Sequence, residues 1–173
     1  MTDFPDLRNY VRDVPNFPKE GIIFRDIAPL LADVEAFNHA IDLISKPWLD
    51  EDITAIGMLD ARGFIFGTAV AMDLGLPFFM IRKPGKLPGP TLGDVYSLEY
   101  GHNSLSISKD AFEEGAKILL VDDVLATGGS AAAAARLIHH NKGEVVGLAT
   151  LMELTYCKGR SVFKHPITSC LVY

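Results

Sequence analysis

Residues Ile118 to Ser130 read Ile-Leu-Leu-Val-Asp-Asp-Val-Leu-Ala-Thr-Gly-Gly-Ser, the residue types that a sugar phosphate needs. The apolar run predicts a strand that delivers Asp122 and Asp123 to its end, after which Ala126-Thr127-Gly128-Gly129-Ser130 turns into a helix. Glycine lets consecutive backbone N–H groups point into one concavity, and the helix adds its positive N-terminal end, so this turn can seat a phosphate monoester. The two carboxylates cannot bind phosphate. They can accept hydrogen bonds from vicinal hydroxyls, or hold water on a cation that a polyphosphate brings with it. A ribose bearing a 5-phosphate fits the whole pattern; an ordinary strand-turn-helix corner is the plain alternative.

A second anion-binding turn is expected at Asp60-Ala61-Arg62-Gly63, where a strand ends and a helix begins. Its backbone N–H groups and the Arg62 guanidinium can converge on one ligand, or Arg62 and Asp60 can simply form a surface pair. Arg82, Lys83 and Lys86 then place three cations beside a segment, Lys83 to Gly93, holding three prolines and three glycines. Such a segment contributes little core and suits a lid over a polyphosphate, with a solvated basic linker as the competing reading.

Alternating elements must position these residues. Ile53–Leu59, Phe78–Arg82, Lys117–Val121 and Glu144–Leu154 read as strands, and Arg62–Leu74 and Gly128–Asn141 as helices between them. That alternation predicts an α/β fold, a single domain with a central, mostly parallel twisted sheet covered by helices. Five successive alanines, Ala131 to Ala135, allow the second helix close to the sheet, and Gly143 ends it. Val34, Phe37, Ile41 and Ile44 mark an amphipathic helix that Asp33 can cap. Residues 1–30 have several prolines and no long periodic run, which suggests an irregular N-terminal cap. Beyond the basic segment, Val95–Tyr100 and Ser104–Ser108 read as a hairpin. Trp48 reads as packing, His139-His140 as a solvated or dipole-facing pair, and Asp110 to Glu114 as a solvated acidic turn.

Composition narrows the classes. The chain has 173 residues, 49% of them hydrophobic, enough to bury a core without disulfide or metal support. No apolar run approaches the roughly 20 residues that span a bilayer, and the first residues lack the basic and apolar regions of a signal peptide, so a soluble, cytoplasmic protein without membrane partners is expected. A net charge of −6 does not invite nucleic acid. Cys157 and Cys170 lack metal-ligand spacing and read as reduced structural thiols.

Residues Ile118 to Ser130 resemble the 5-phosphoribosyl 1-diphosphate (PRPP) signature of the type I phosphoribosyltransferase family. Phe17–Ile27 (Phe-Pro-Lys-Glu-Gly-Ile-Ile-Phe-Arg-Asp-Ile), Asp60–Phe64, Arg82–Gly89 and Tyr96–Gly101 are similar, in order, to motifs of the members that act on adenine. The match spans nearly the whole chain. It implies transfer of the phosphoribosyl group of PRPP to adenine, giving AMP and pyrophosphate, with Mg²⁺ carried in by the substrate and held at most through water by Asp122 and Asp123. By this resemblance Ala126 to Ser130 bind phosphate, Asp122 and Asp123 the ribose, and Asp60, Ala61, Arg62, Arg82 and Lys86 the pyrophosphate, with a nonproline cis peptide often found in the Asp60 turn. Residues 1–30 become a hood over the base, with Ile23, Phe24, Arg25 and Val124 at adenine; residues 83–100 become the catalytic lid. Glu99 would perform acid–base work at the base, Tyr100 would exclude water, and Arg62 and Lys86 would steady the leaving group. Similar enzymes are homodimers in which the Arg82 region serves the neighbouring site.

Two departures stand out. Asp60 occupies a position where most relatives carry glutamate, and Val124 one where many carry leucine. Without the family, Leu98-Glu99-Tyr100 is an unremarkable strand end and Phe24 is equally plain core packing. A non-catalytic PRPP or nucleotide sensor is the competing class; it usually carries a nucleic-acid-binding module, for which this chain has no room. Another base is a further alternative, yet no lysine is placed for a 6-oxopurine after Thr150, and Arg25 alone supplies little charge for orotate. No Gly-x-x-x-x-Gly-Lys-Ser/Thr occurs, which sets a P-loop enzyme aside.

Overall fold

Opposed charges set the register of the first hairpin, in which β1 (Arg12–Pro15) runs antiparallel to β2 (Ile23–Asp26) with Arg12 opposite Asp26 and Asp13 opposite Arg25. Both pairs close as ion pairs, Arg12 Nη2 lying 2.6 Å from Asp26 Oδ2 and Arg25 meeting Asp13. The computed structural model describes residues 6–93 and 104–173. The chain divides into two units, Met1–Leu43 and Ile44–Tyr173. The first is more regular than its prolines suggest, because Asn16 (φ 60°) and Gly21 (φ 80°) both take left-handed backbone and Gly21 N donates to Asn16 Oδ1 at 3.0 Å, which closes the hairpin loop.

After the short α1 (Ala28–Leu31), α2 (Val34–Ser45) starts at Asp33, whose Oδ1 accepts from the amides of Glu35 and Ala36 at 3.0 Å. Its buried stripe is Ala36, Ala40, Ile41 and Ile44; Val34, expected in that stripe, is 71% exposed because it stands in the first turn on the outer side.

The second unit is built on five parallel strands. In chain order these are β3 (Ala55–Leu59), β4 (Phe78–Ile81), β7 (Lys117–Leu125), β8 (Glu144–Glu153) and β9 (Ile167–Val172), arranged β4-β3-β7-β8-β9. Between them, β5 (Thr91–Gly93) and β6 (Ser106–Ser108) form a separate antiparallel pair. Thr91–Gly93, read as the end of a loop, is a strand paired with Ser106–Ser108, and Val95–Tyr100, the other expected hairpin strand, lies outside the described residues.

Helices cover both faces of the sheet, as right-handed parallel crossovers require. On one face α3 (Gly63–Leu74) buries Phe66, Gly67, Val70 and Ala71, and Gly67 comes so close that a Cβ there would stand 2.5 Å from Met58 Cγ. On the other, α4 (Gly129–His140) buries Ala131, Ala133, Ala134 and Ala135 in a core shared with Ile81, Ile118 and Leu120. Each large side chain buried in this way contributes about 1.5–3 kcal/mol. Trp48 also packs as expected; it is 5% exposed, lies against Gly147, and donates its indole N–H to Thr168 Oγ1 at 2.8 Å. Neither cysteine is bonded, and burial pushes the Cys170 thiol up to about 12, consistent with a structural thiol. Among the described residues no helix is long and apolar enough to cross a membrane.

Candidate active site

Strand β7 runs past Val121 through both aspartates to Leu125, four residues beyond the expected end, so Asp122 and Asp123 lie within the strand. Both carboxylates lie beside the start of α3: Asp123 Oδ2 is 2.7 Å from Arg62 Nη2, and Asp122 Oδ1 is 3.0 Å from where a Cβ of Gly63 would stand. Asp122 and Val124 line a cavity of about 160 Å³ together with the Ala126–Ser130 turn and the apolar side chains Leu125, Ala131 and Leu148. The Ala126–Ser130 turn, one carboxylate and several apolar side chains therefore share one space at the C-terminal end of the sheet, where open α/β sheets bind ligands. A larger hollow of about 420 Å³, lined by Thr54, Pro77, Phe78, Phe112 and Glu113 among others, opens at the N-terminal ends of β3 and β4, and its lining includes no Lys, Arg or His side chain to meet a phosphate.

The phosphate turn is shaped by close approach of backbone to backbone. Gly128 sits at φ 75° as the residue before α4, and a Cβ on it would lie 2.6 Å from the carbonyl oxygen of Gly159. Gly159 shows the reciprocal constraint, since its Cβ would stand 2.4 Å from Ala126 O. The first-turn amides of α4 have no acceptor within their own helix and face the seat with the dipole's positive end.

The second turn matches its expectation in part. The Asp60–Ala61 peptide is cis, as the resemblance implied. Arg62, just ahead of α3, reaches Asp123, with Nη2 2.7 Å from Oδ2 in a charge contact whose alignment does not make a hydrogen bond. Gly63 allows this approach, because a Cβ there would lie 2.9 Å from Val121 O and 3.0 Å from Asp122 Oδ1. Arg62 thus couples the Asp60–Gly63 turn to the acidic pair.

Burial first, and the neighbouring Asp123 charge second, hold the Asp122 carboxyl well above the usual carboxylate range. Asp122 keeps a partly exposed surface on the cavity, but protein encloses most of its carboxyl. Asp123 is also raised by burial, with Arg62 pulling the other way. The amide of Asp123 donates to Asp122 Oδ1 at 2.8 Å. A diol donating two hydroxyls here would satisfy oxygens that the ligand-free protein leaves costly to ionise.

Arg82 at the end of β4 is clasped rather than free. Its Nε donates to Asp60 Oδ2 at 2.9 Å, its Nη1 donates to Lys86 O at 3.0 Å, and its guanidinium lies 5.6 Å from the Phe64 ring centre. Lys83 and Lys86 are exposed. Asp60→Ala is expected to raise the PRPP KM about three- to tenfold, since a half-exposed clasp of this kind is worth roughly 1 kcal/mol. Steady-state kinetics check it, and an unchanged KM would dissociate Asp60 from the site.

Ile23, Phe24 and Arg25 belong to the first unit, on β2. Ile23 is 45% exposed, Phe24 meets Phe17 edge to face at 5.2 Å, and Arg25 engages Asp13. Glu99 and Tyr100 lie outside the described residues. No group of three His, Cys, Asp or Glu among the described residues is arranged to hold a metal, and Arg62 already engages Asp123. That donor set fits only a cation bringing most of its ligands with a polyphosphate.

Sequence reasoning missed the residues behind the phosphate turn, namely Glu153, Gly159 and Arg160. Glu153 is buried and its carboxylate is gripped by Arg160 Nε and Nη2 at 2.7–2.9 Å. Only the Lys158-Gly159 pair after a long strand hinted at a turn there.

A parallel sheet with two glycine-bearing strand-to-helix turns and an acidic pair at its C-terminal end is the framework of a phosphoribosyl-transfer protein. Residues 32–168 match the phosphoribosyl transferase domain family, and the chain belongs to that family. Within it the chain stands among the adenine phosphoribosyltransferases. It is 52% identical over 155 residues to the adenine phosphoribosyltransferase of Halothermothrix orenii, covering 90% of this chain and 91% of that one, and 48% identical over 169 residues to that of Thermotoga maritima, covering 97% and 98%. Among solved structures, the Rhodothermus marinus adenine phosphoribosyltransferase superposes with a TM-score of 0.89 at 41% identity, covering 96% of both chains. The Saccharomyces cerevisiae enzyme, complexed with D-2,5-dideoxy-2,5-imino-altritol 1,6-bisphosphate and adenine, gives 0.87 at 37% identity over 95% of this chain and 96% of that one.

Proposed function

We propose that this chain transfers the 5-phosphoribosyl group of PRPP to adenine, releasing pyrophosphate and forming AMP in purine salvage. The observation that carries the reading is the shared cavity of Asp122, Val124 and the Ala126–Ser130 turn in a chain of the adenine-specific family. In the reaction adenine N9 attacks C1 of the ribose as the C1–O bond to pyrophosphate breaks. The sugar becomes oxocarbenium-like, so catalysis depends on stabilising the departing polyanion and excluding water.

The Ala126–Ser130 amides anchor the 5-phosphate, and the Asp122–Asp123 pair accepts hydrogen bonds from the ribose diol. The Asp60–Arg62 turn, with Arg82 clasped to it and Lys86 nearby, receives the pyrophosphate. Asp122 and Asp123 would reach the water shell of a Mg²⁺ carried in with PRPP, which would supply charge neutralisation for the departing diphosphate. Phe24 supplies a stacking face worth ~1–3 kcal/mol, Ile23 backbone pairing and Arg25 a polar edge, with Val124 as the opposing wall. Glu99 takes the N9 proton and Tyr100 covers the ribose. Residues 1–30 serve as hood and 83–100 as lid. The protein is read as a cytoplasmic homodimer, a reading supported by the family and by the exposed apolar side chains Ile65, Met72, Phe78 and Met80 along α3 and β4.

Purified protein is expected to convert adenine to AMP only when both PRPP and Mg²⁺ are present, followed by the change in adenine absorbance. Turnover with hypoxanthine or guanine in place of adenine would remove the base assignment, and no turnover with any base would remove the activity.

A further inference from the structure

The phosphate turn does not stand by itself. Behind it, residues 154–161 form two tight turns at the end of β8, with Lys158 in left-handed backbone at φ 58°. The carbonyl of Gly159 touches the position a Cβ of Gly128 would fill, and Ala126 O touches the corresponding position of Gly159. A shift of Gly159 toward Gly128 therefore presses on the turn that presents its amides to the phosphate, with no side chain between them to yield.

What holds Gly159 is its neighbour. Arg160 grips both oxygens of Glu153, Nε at 2.9 Å from each and Nη2 at 2.7 Å from Oε2, while the Glu153 side chain is only 5% exposed. Glu153 is itself fixed on β8 opposite Leu125 of β7, the residue immediately before the phosphate turn, and Leu154 N donates to Leu125 O at 2.9 Å. Phosphate turn and backstop thus share one anchorage. A buried ion pair contributes little net stability compared with packed apolar side chains, but a guanidinium fork on a carboxylate fixes position and angle closely.

We propose that the Glu153–Arg160 pair is a positioning device for phosphate binding, holding the Gly159 turn so that Ala126–Ser130 keeps the shape that receives the 5-phosphate of PRPP and AMP. The inference rests on that loop being the phosphate seat. Neither residue touches the ligand; both act through Gly159.

The test compares KM for PRPP with KM for adenine, and Kd for AMP by calorimetry, in Glu153→Gln and in the double variant Glu153→Met/Arg160→Met, which leaves no orphaned charge. Both variants are expected to raise the PRPP KM and the AMP Kd about tenfold while the adenine KM stays within about twofold, since a displacement near 1 Å can cost on the order of 100-fold. An unchanged PRPP KM in both variants, or an equal rise for both substrates, overturns the proposal. So does recovery of the normal PRPP KM in the double variant after Glu153→Gln has raised it, because any packed pair would then suffice. Gly128→Ala, which must open the turn itself, separates this from the underlying reading: if it leaves AMP affinity intact the seat itself is wrong, whereas if it weakens AMP and Glu153→Gln does not, only the brace fails.

Discussion

Gly128→Ala is expected to lower kcat/KM for PRPP by about 100-fold or more while leaving a folded protein. Two costs fall on one methyl group. Left-handed backbone at φ 75° costs a residue with a Cβ about 1–2 kcal/mol, and that Cβ would stand 2.6 Å from Gly159 O, 3.2 Å from its carbonyl carbon and 3.2 Å from its Cα. These neighbours are backbone and cannot swing aside, so the phosphate turn must open. Losing two amide bonds to a charged phosphate removes about 3–6 kcal/mol, which is a factor of at least 100 in affinity. Gly75→Ala is the matched control: Gly75 caps α3 at φ 67°, yet nothing lies within 4 Å of its Cβ position. That variant should bear only the backbone cost, about 1–2 kcal/mol, with its PRPP KM unchanged. A normal PRPP KM in Gly128→Ala would show that this turn does not hold the phosphate.

Asp122→Asn is expected to move stability and affinity in opposite directions. Burial and the Asp123 charge place the Asp122 carboxyl well above its unfolded value, so the ligand-free fold disfavours the ionised form. The sign follows from linkage. An acid whose folded pKa is raised penalises the fold fully above that pKa, and the penalty fades as pH falls through it toward the unfolded value near 4. The amide variant should therefore melt higher than the parent at pH 8, by about 2–4 °C for each kcal/mol relieved, and the gap should close on acidification.

Affinity for AMP and PRPP should fall about 10- to 100-fold in the same variant, since hydrogen bonds to a charged acceptor are worth roughly 1.5–3 kcal/mol. Ribose hydroxyls donate to the ionised carboxylate and pull its pKa back down, so AMP binding near the raised pKa releases a proton that Asp122→Asn cannot release. Calorimetry in buffers of different ionisation enthalpy reads this difference. A variant that melts lower than the parent at pH 8, or binds AMP normally, would contradict the assignment. Sites that bind charged ligands commonly hold ionisable groups against their solution preference, and stability is lost where function needs it.

Much of this site was legible without coordinates, for reasons that are local. A strand, two carboxylates, glycines and a helix start within thirteen residues can be read because hydrophobic period and left-handed backbone are properties of neighbouring residues. Asp33 as a cap, the alanine run against the sheet and Trp48 as packing were legible on the same basis. Strand β9 was not, because Ile167–Val172 mixes Thr, Ser and Cys with its apolar residues and shows no clean alternation. The length of β7 was misjudged because two aspartates look like the end of a strand, although an end beside a ligand cavity tolerates them.

The chain by itself therefore determined the chemistry on offer: where phosphate, diol and pyrophosphate could be met, and by which residue types. Only the tertiary structure decided who partners whom. Arg62 takes Asp123 because β3, which leads into the Arg62 turn, lies beside β7, Arg82 takes Asp60 because β4 lies beside β3, and Gly159 backs Gly128 because β7 and β8 are neighbours in register. Those pairings join residues distant in sequence, and strand order and register, which no local pattern encodes, bring them within reach.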